Sequence, residues 1–383
     1  MRNNPFSPIF GGKPSLFFGR KTFLRRFELA MADQGSEDRA LFFTGTRGCG
    51  KTALLEQLSQ RASKRGYHVI DLGPDDTVPQ LLHALVRHDE VTTTVNPQAG
   101  ISVMGMGGSI GAGSISKTTR YGRENLQPAL LDACSHAKRG IFVTIDEIQK
   151  VPVDDVSAIC NAFQMASRKG HDILLAVAGL PYAHKRIIHH EGCTYLRRAP
   201  HEEIGLFGWD EADEAFRGAF SRIDGVAVEQ EEIDDLNRTS YGQPYLMQLL
   251  GYHLINELPQ EARKTVLATS EQMEASKALS LTAYERRALQ PLLDELTDAE
   301  VCYLRAASST LDEERLARTA DIARKLGKNL HQLSRVREQL IGYGYLASPA
   351  YGKLTFCVPY LADYVMRSDD TSSALSVVRQ RRV

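Results

Sequence analysis

Eight residues constrain this chain more than any others. The stretch "GTRGCGKT" (Gly45–Thr52) stands between a short apolar run, "ALFFTG" (Ala40–Gly45), and a helical one, "KTALLEQLSQRASKRG" (Lys51–Gly66). In the helical run Leu54, Leu55, Leu58 and Ala62 recur at helical spacing. A strand that ends in such a loop and restarts as a helix makes a cradle for phosphate. The three glycines let the backbone curl until successive N–H groups point inward. The loop from Gly45 through Arg47, Gly48, Cys49, Gly50, Lys51, Thr52 and Ala53 then wraps the anion. Lys51 reaches the β- and γ-phosphates as a point charge, and Thr52 offers an oxygen to Mg²⁺. The first turn of the helix adds its dipole and unpaired donors.

The run "IFVTIDEIQ" (Ile141–Gln149) is the natural second half. β-Branched and aromatic residues lead to Asp146 and Glu147 at a strand's C-terminal end, where ligands gather in a parallel sheet. Asp146 is placed to hold Mg²⁺ through water, and Glu147 to polarise the water that attacks the γ-phosphate. Gln149 reads as a sensor of that phosphate or as a plain surface amide. Two further apolar runs, "HVIDLG" (His68–Gly73) and "ILLAVAGL" (Ile173–Leu180), alternate with helical patterns. Residues 1–204 therefore read as βαβ units around a mostly parallel sheet.

Composition sets the bounds. The 383 residues are 43% hydrophobic, with 46 Lys+Arg against 47 Asp+Glu and a net charge of −1. That excludes a disordered chain and a globally basic nucleic-acid coat. No apolar run approaches the roughly 18–20 residues of a membrane span, and the first fifteen residues show no secretory h-region. The six cysteines are scattered without a CxxC pair, which suits reduced thiols and a cytoplasmic protein rather than a disulfide frame or a zinc site. "HHEGC" (His189–Cys193) offers metal-capable atoms, but adjacent histidines on a helix do not converge.

From about Gly205 helical patterns take over, "WDEADEAFRGAF" (Trp209–Phe220) and "YLMQLLGYHLINEL" (Tyr245–Leu258), and residues 205–290 read as a helical unit. Residues 291–370 run helix, helix, helix and then "KLTFCVP" (Lys353–Pro359) with period-two alternation, the order of a winged helix-turn-helix. Residues 371–383 read as a flexible tail. Residues Gly100–Ser114 hold six glycines among fifteen, too many for a helix, and read as a mobile hairpin that meets a partner or as a passive loop.

The order "FFGR", "GTRGCGKT", "IDEIQ", "AGLP", "YLRR", "GQPYLMQ" and a C-terminal winged helix resembles the AAA+-type ATPases of the archaeal origin-recognition kind. It is also similar to related bacterial and archaeal ATP-binding proteins that shade into the STAND signalling ATPases. The resemblance spans about Asn4 to Met366. It implies an α/β P-loop NTPase core with an α-helical lid and a winged helix, binding ATP and Mg²⁺. It also implies that the Gly19-Arg20 turn and "NPFSPIFG" lie against adenine. Arg197 or Arg198 falls where such ATPases carry an arginine finger for a neighbouring subunit, which would require an oligomer; the alternative is a surface pair bonded to Glu202 and Glu203. Two departures stand out. The lid reads Gly242-Gln243-Pro244-Tyr245, without the arginine of a Gly-x-x-Arg setting, and Gly-x-Pro is the STAND pattern, so Pro244 becomes the nucleotide contact. The strand ending Ala178-Gly179-Leu180 lacks the usual polar sensor. Both imply slow, switch-like hydrolysis.

The neutral total conceals a basic segment. Residues 318–337 carry Arg318, Arg324, Lys325, Lys328, Arg335 and Arg337 against Asp321 alone. Ala320, Ile322, Ala323 and Leu326 are expected to face inward on one helix, and Leu333, Val336, Leu340 and Ile341 on the next. That leaves His331, Ser334, Arg335 and Glu338 pointing outward. Lys328, Ser334, Arg335, Arg337 and, from the wing, Lys353 form the expected contact with duplex DNA. The alternative is a winged helix that docks protein, as in a signalling or defence switch; a transposition helper is a third reading.

Overall fold

The computed structural model describes residues 4–9, 17–86, 122–259 and 266–368. The glycine-rich segment and the C-terminal tail lie outside the described residues.

Five strands build the first unit: β1 (Ala40–Thr44), β2 (His68–Leu72), β3 (Ile141–Ile145), β4 (Ile173–Gly179) and β5 (His201–Glu203). All are parallel, in the order β2-β3-β4-β1-β5, so β4 is inserted between β1 and β3. Every residue of β1, β3 and β4 is buried, as expected where helices cover both faces of a sheet. Alternation then divides the side chains. Phe43, Phe142 and Leu174 face α1 (Lys21–Ala32) and α2 (Lys51–Lys64). Phe42, Val143 and Leu175 face the other side, which is covered by α3 (Thr77–Val86), α4 (Leu126–His136), α5 (Val153–Arg168), α6 (Pro181–Ile188) and α7 (Thr194–Arg197).

A helical unit follows: α8 (Trp209–Phe220), α9 (Gln230–Ser240), α10 (Pro244–Glu257), α11 (Ser270–Tyr284) and α12 (Gln290–Asp294). The short strands β6 (Val226–Ala227) and β7 (Val266–Leu267) pair beside it. The N-terminal segment packs here rather than on the sheet. Phe6 is buried with its ring 5.1 Å from that of Phe220, and a Cβ on Gly251 would stand 2.3 Å from it.

The last unit comprises α13 (Asp298–Ser308), α14 (Thr319–Lys325) and α15 (Leu330–Gly342) with an antiparallel sheet. Its strands are β8 (Ala317–Arg318), β9 (Leu346–Ala350) and β10 (Lys353–Phe356), in the order β8-β10-β9. α15 begins in a capping box, Asn329 accepting from the Gln332 N–H while the Gln332 side chain accepts from the Asn329 N–H. Leu333 and Leu340 are buried, and Ile322 and Ala323 close the core from α14. Ala320 departs from its expected inward position. It is exposed while Thr319 is buried, because the buried face of α14 runs through Thr319, Ile322 and Ala323 at i, i+3 and i+4, and Ala320 lies one residue off it. This unit and the helical unit share one hydrophobic cluster running from Ala212 to Val365.

Candidate nucleotide site

The loop after β1 curls as its glycines demand. Gly48 and Gly50 adopt φ of 77° and 94°, the left-handed region that glycine enters without steric cost. Gly50 thereby becomes the N-cap of α2. Lys51, 6% exposed, turns its Nζ back to donate to the carbonyls of Gly45 and Thr46, both at 2.9 Å. Cys49 is wholly buried behind the loop; burial pushes its thiol pKa up, against the pull of Lys51 and Arg20.

Strands β1 and β3 bring the two acidic positions to this loop. Thr52 Oγ1 donates to Asp146 Oδ2 at 2.5 Å. Hard oxygen donors of this kind suit Mg²⁺, which takes one or two protein oxygens and completes its shell with water and substrate phosphate. Among the described residues no cluster of three or more His, Cys, Asp or Glu could hold a metal by itself. Glu147 follows in a left-handed conformation, φ 50° and ψ 40°, uncommon for a non-glycine residue and a feature that collects at functional sites. Its N–H donates to Asp146 Oδ1 at 2.8 Å.

A cavity of about 380 Å³ opens from these residues, within the range of small-molecule sites. Its loop end is formed by Arg47, Gly48, Gly50, Lys51, Thr52, Ala53 and Glu147, and its apolar end by Pro5, Phe6, Ile9, Phe18, Phe207 and Phe216. Pro244, Tyr245 and Gln248 of α10 close the third side. The Gly242-Gln243-Pro244 corner rests on the loop itself: a Cβ on Gly48 would meet the Gln243 amide nitrogen at 2.3 Å, and one on Gly50 the Pro244 ring at 3.9 Å. Arg20 lines the cavity and ties its walls together, donating to the carbonyls of Cys49 at 3.3 Å and Gly205 at 2.5 Å and lying 4.7 Å over the Phe207 ring. Burial lowers its pKa, partly opposed by Glu211.

The end of α12 and the last unit reach the same loop. Arg47 pairs with Glu295 at 2.6 Å. Burial pulls the guanidinium pKa down, and the bonds to Glu295 more than offset it. Next to it, a Cβ on Gly344 would lie 2.9 Å from Thr46 Cγ2, and Tyr343 meets Tyr182 edge-to-face at 5.8 Å.

Several expected residues stand elsewhere. Gln149 is buried beneath Glu147 and does not line the cavity. Arg197 and Arg198 are exposed and off the cavity. Their alternative reading as partners of Glu202 and Glu203 is corrected: Arg197 donates to the carbonyls of Ile188 (2.9 Å) and His190 (3.0 Å), and Glu202 bonds to Arg26. Lys328 and Arg335 are exposed, and Lys353 is half-buried in β10. Ser334 is half-buried and donates back to the His331 carbonyl at 2.8 Å. Arg337 is half-buried near Tyr303, whose pKa burial raises to about 12 against the pull of Arg337. Phe207, Phe216 and Gln248 were not legible as cavity walls. Only the aromatic residues near the turn "GLFGW" hint at them.

Residues 33–187 match a protein family described as AAA domain, and residues 286–365 match one described as Domain of unknown function (DUF8462). No curated protein matches the chain. The Aeropyrum pernix ORC2 protein in its ADPNP-ADP complexes is similar at 12% identity over 94% of this chain and 93% of that one, with a TM-score of 0.60. The ADP form of that protein gives 14% identity over 91% and 93%, with a TM-score of 0.54. At these identities the likeness is one of fold. Loop, sheet order and family match agree: residues 33–187 match an AAA domain, and the chain resembles the Aeropyrum pernix ORC2 protein in fold.

Proposed function

We propose that the chain binds ATP with Mg²⁺ in this cavity, hydrolyses it slowly, and uses its nucleotide state to set a winged-helix unit that contacts duplex DNA. The observation that carries this reading is the junction at the phosphate loop. Arg47 and Thr46, beside the phosphates' seat, touch Glu295, which caps α12 where the helical unit hands over to the last, and Gly344 of the last unit. The C-terminal end of α15 lies at that junction, while Lys328, just before its Asn329 cap, and Arg335, halfway along it, stand in the open. One helix thus joins the nucleotide site to the basic surface.

In this reading Lys51 and the loop N–H groups bind the phosphates, and Thr52 and Asp146 hold Mg²⁺, which neutralises charge on the β- and γ-oxygens. Glu147 orients water for attack on the γ-phosphorus. Turnover is slow because β4 runs out through Ala178-Gly179-Leu180 and Gly242-Gln243-Pro244 leads into α10 of the lid, neither offering a charged group to the transition state. Arg197 or Arg198, off its own cavity, supplies that charge to a neighbouring copy, so the active species is a homo-oligomer. The apolar end of the cavity takes adenine beside Arg20.

Lys328, Ser334, Arg335, Arg337 and Lys353 provide the DNA contact. Reversing charge in Lys328→Glu/Arg335→Glu is expected to weaken duplex binding and to lower the salt slope, d log K/d log[salt], by about 1 per lost phosphate contact. ATP affinity stays unchanged. Fluorescence anisotropy at several salt concentrations reads both, and an unaltered DNA affinity contradicts the assignment.

A second reading has its own support. The seating of the C-terminal half on the first unit, through Glu295 on Arg47 of the loop and Tyr343 on Tyr182 of α6, favours a STAND-like switch in which the winged helix docks protein. There ATP against ADP changes the oligomeric state without DNA. Among the described residues no helix is long and apolar enough to cross a membrane.

A further inference from the structure

We infer that Gln149 is a positioning residue for hydrolysis: its side-chain amide holds the Glu147 carboxylate against the end of strand β4. This rests on the hydrolytic reading of Glu147 given above.

Gln149 is 6% exposed, and a buried amide needs partners at both ends. Its Nε2 donates to Glu147 Oε2 at 2.5 Å, and its Oε1 accepts from the Leu180 N–H at 3.1 Å. The strand end that offers no polar side chain is therefore the one whose backbone fixes this amide. Gly179 makes the space. A Cβ there would stand 2.7 Å from Gln149 Oε1, 2.9 Å from Ala183 Cβ and 3.0 Å from Ile148 Cγ2. The main chain of Gln149 is held as well, because Arg186 of α6 donates to its carbonyl and, at 3.3 Å, to that of Val151.

These bonds explain how Glu147 keeps a left-handed backbone, which an L-residue retains only where its surroundings over-determine it. They also divide the carboxylate. Oε2 is engaged by Gln149, and Oε1 is left to orient the attacking water. Gln149 does not line the cavity and acts through Glu147. A shift at the end of β4 or in α6 would reach the carboxylate through this amide.

Steady-state kinetics on the full chain with Mg-ATP test this. Gln149→Met keeps the volume and removes both polar ends. Gln149→Glu keeps the acceptor for Leu180 and removes the donor to Glu147. Both variants are expected to lose about 10–100-fold in kcat, with KM and ATP affinity within about twofold of wild type, as expected for a misplaced reacting group. In a Glu147→Gln background neither change lowers the rate further, because the residue they position is already lost. Near-wild-type kcat in both variants overturns the proposal, as does a raised KM at constant kcat, which marks a nucleotide contact. Additive loss in the double variants also overturns it. Full turnover by Glu147→Gln alone defeats the hydrolytic reading itself, and this inference with it, and so is told apart from failure at Gln149.

Discussion

Replacing Glu147 by glutamine is expected to lower ATP turnover by about 10²–10⁴-fold, the usual contribution of a positioned general base, while ATP affinity stays within about threefold of wild type. The split follows from where the residue sits. Glu147 lies on the cavity wall just past β3, and its N–H bond to Asp146 Oδ1 is made by the backbone, which the substitution keeps. Glutamine preserves the volume and removes the negative charge that the proposed function assigns to polarising water. The Thr52–Asp146 contact is untouched, so the phosphate and metal end of the site persists. Single-turnover hydrolysis beside a nucleotide-binding titration measures both quantities. A variant that hydrolyses at the wild-type rate places the water-orienting group elsewhere.

Lys51→Ala acts on the other half of the site. The buried ammonium is held at 2.9 Å from each of two loop carbonyls and is the charged side chain at the N-terminus of α2. Hydrogen bonds to charged groups contribute about 1.5–3 kcal/mol each, so losing those to the phosphates is expected to weaken ATP binding by about 100-fold or more. The same change leaves the Gly45 and Thr46 carbonyls without this donor, so the nucleotide-free protein also loses about 1–3 kcal/mol of stability. Lys51→Arg is not a rescue, because a planar guanidinium does not replace a compact point charge in a packed loop. Calorimetric titration with ATP and a denaturant melt read the two effects separately. Unaltered affinity contradicts the phosphate assignment of the loop.

What was legible in the sequence is what local chemistry dictates. The loop from Gly45 to Thr52 works within eight consecutive residues, so its glycines, Lys51 and Thr52 can be read without knowing the fold. Asp146 and Glu147 follow from an apolar run that ends in two carboxylates, and the parallel sheet from continuous apolar strands between helices. The remainder depends on residues far apart in the chain. Arg47 meets Glu295 across 248 positions, and Phe6 reaches α8 across more than 200, and no periodicity encodes either pairing. Gln149 reads as a sensor or a surface amide because its partner at Leu180 comes from a different strand end. Ala320 was misplaced because the buried face of its helix runs through Thr319, Ile322 and Ala323, one residue off it. The lid's Gly-x-Pro was legible as a motif, but its seat on Gly48 and Gly50 appears only in the folded chain.

ATP turnover by the wild-type chain, measured with and without duplex DNA across a salt series, bears on the whole reading at once. The expected result is slow, Mg²⁺-dependent hydrolysis whose rate changes with DNA at low salt and loses that response as salt screens the phosphate contacts. Turnover that ignores DNA at every salt concentration contradicts the DNA-linked switch and leaves the protein-docking reading. Absence of Mg²⁺-dependent turnover, with ATP still bound, contradicts the hydrolytic role of Glu147.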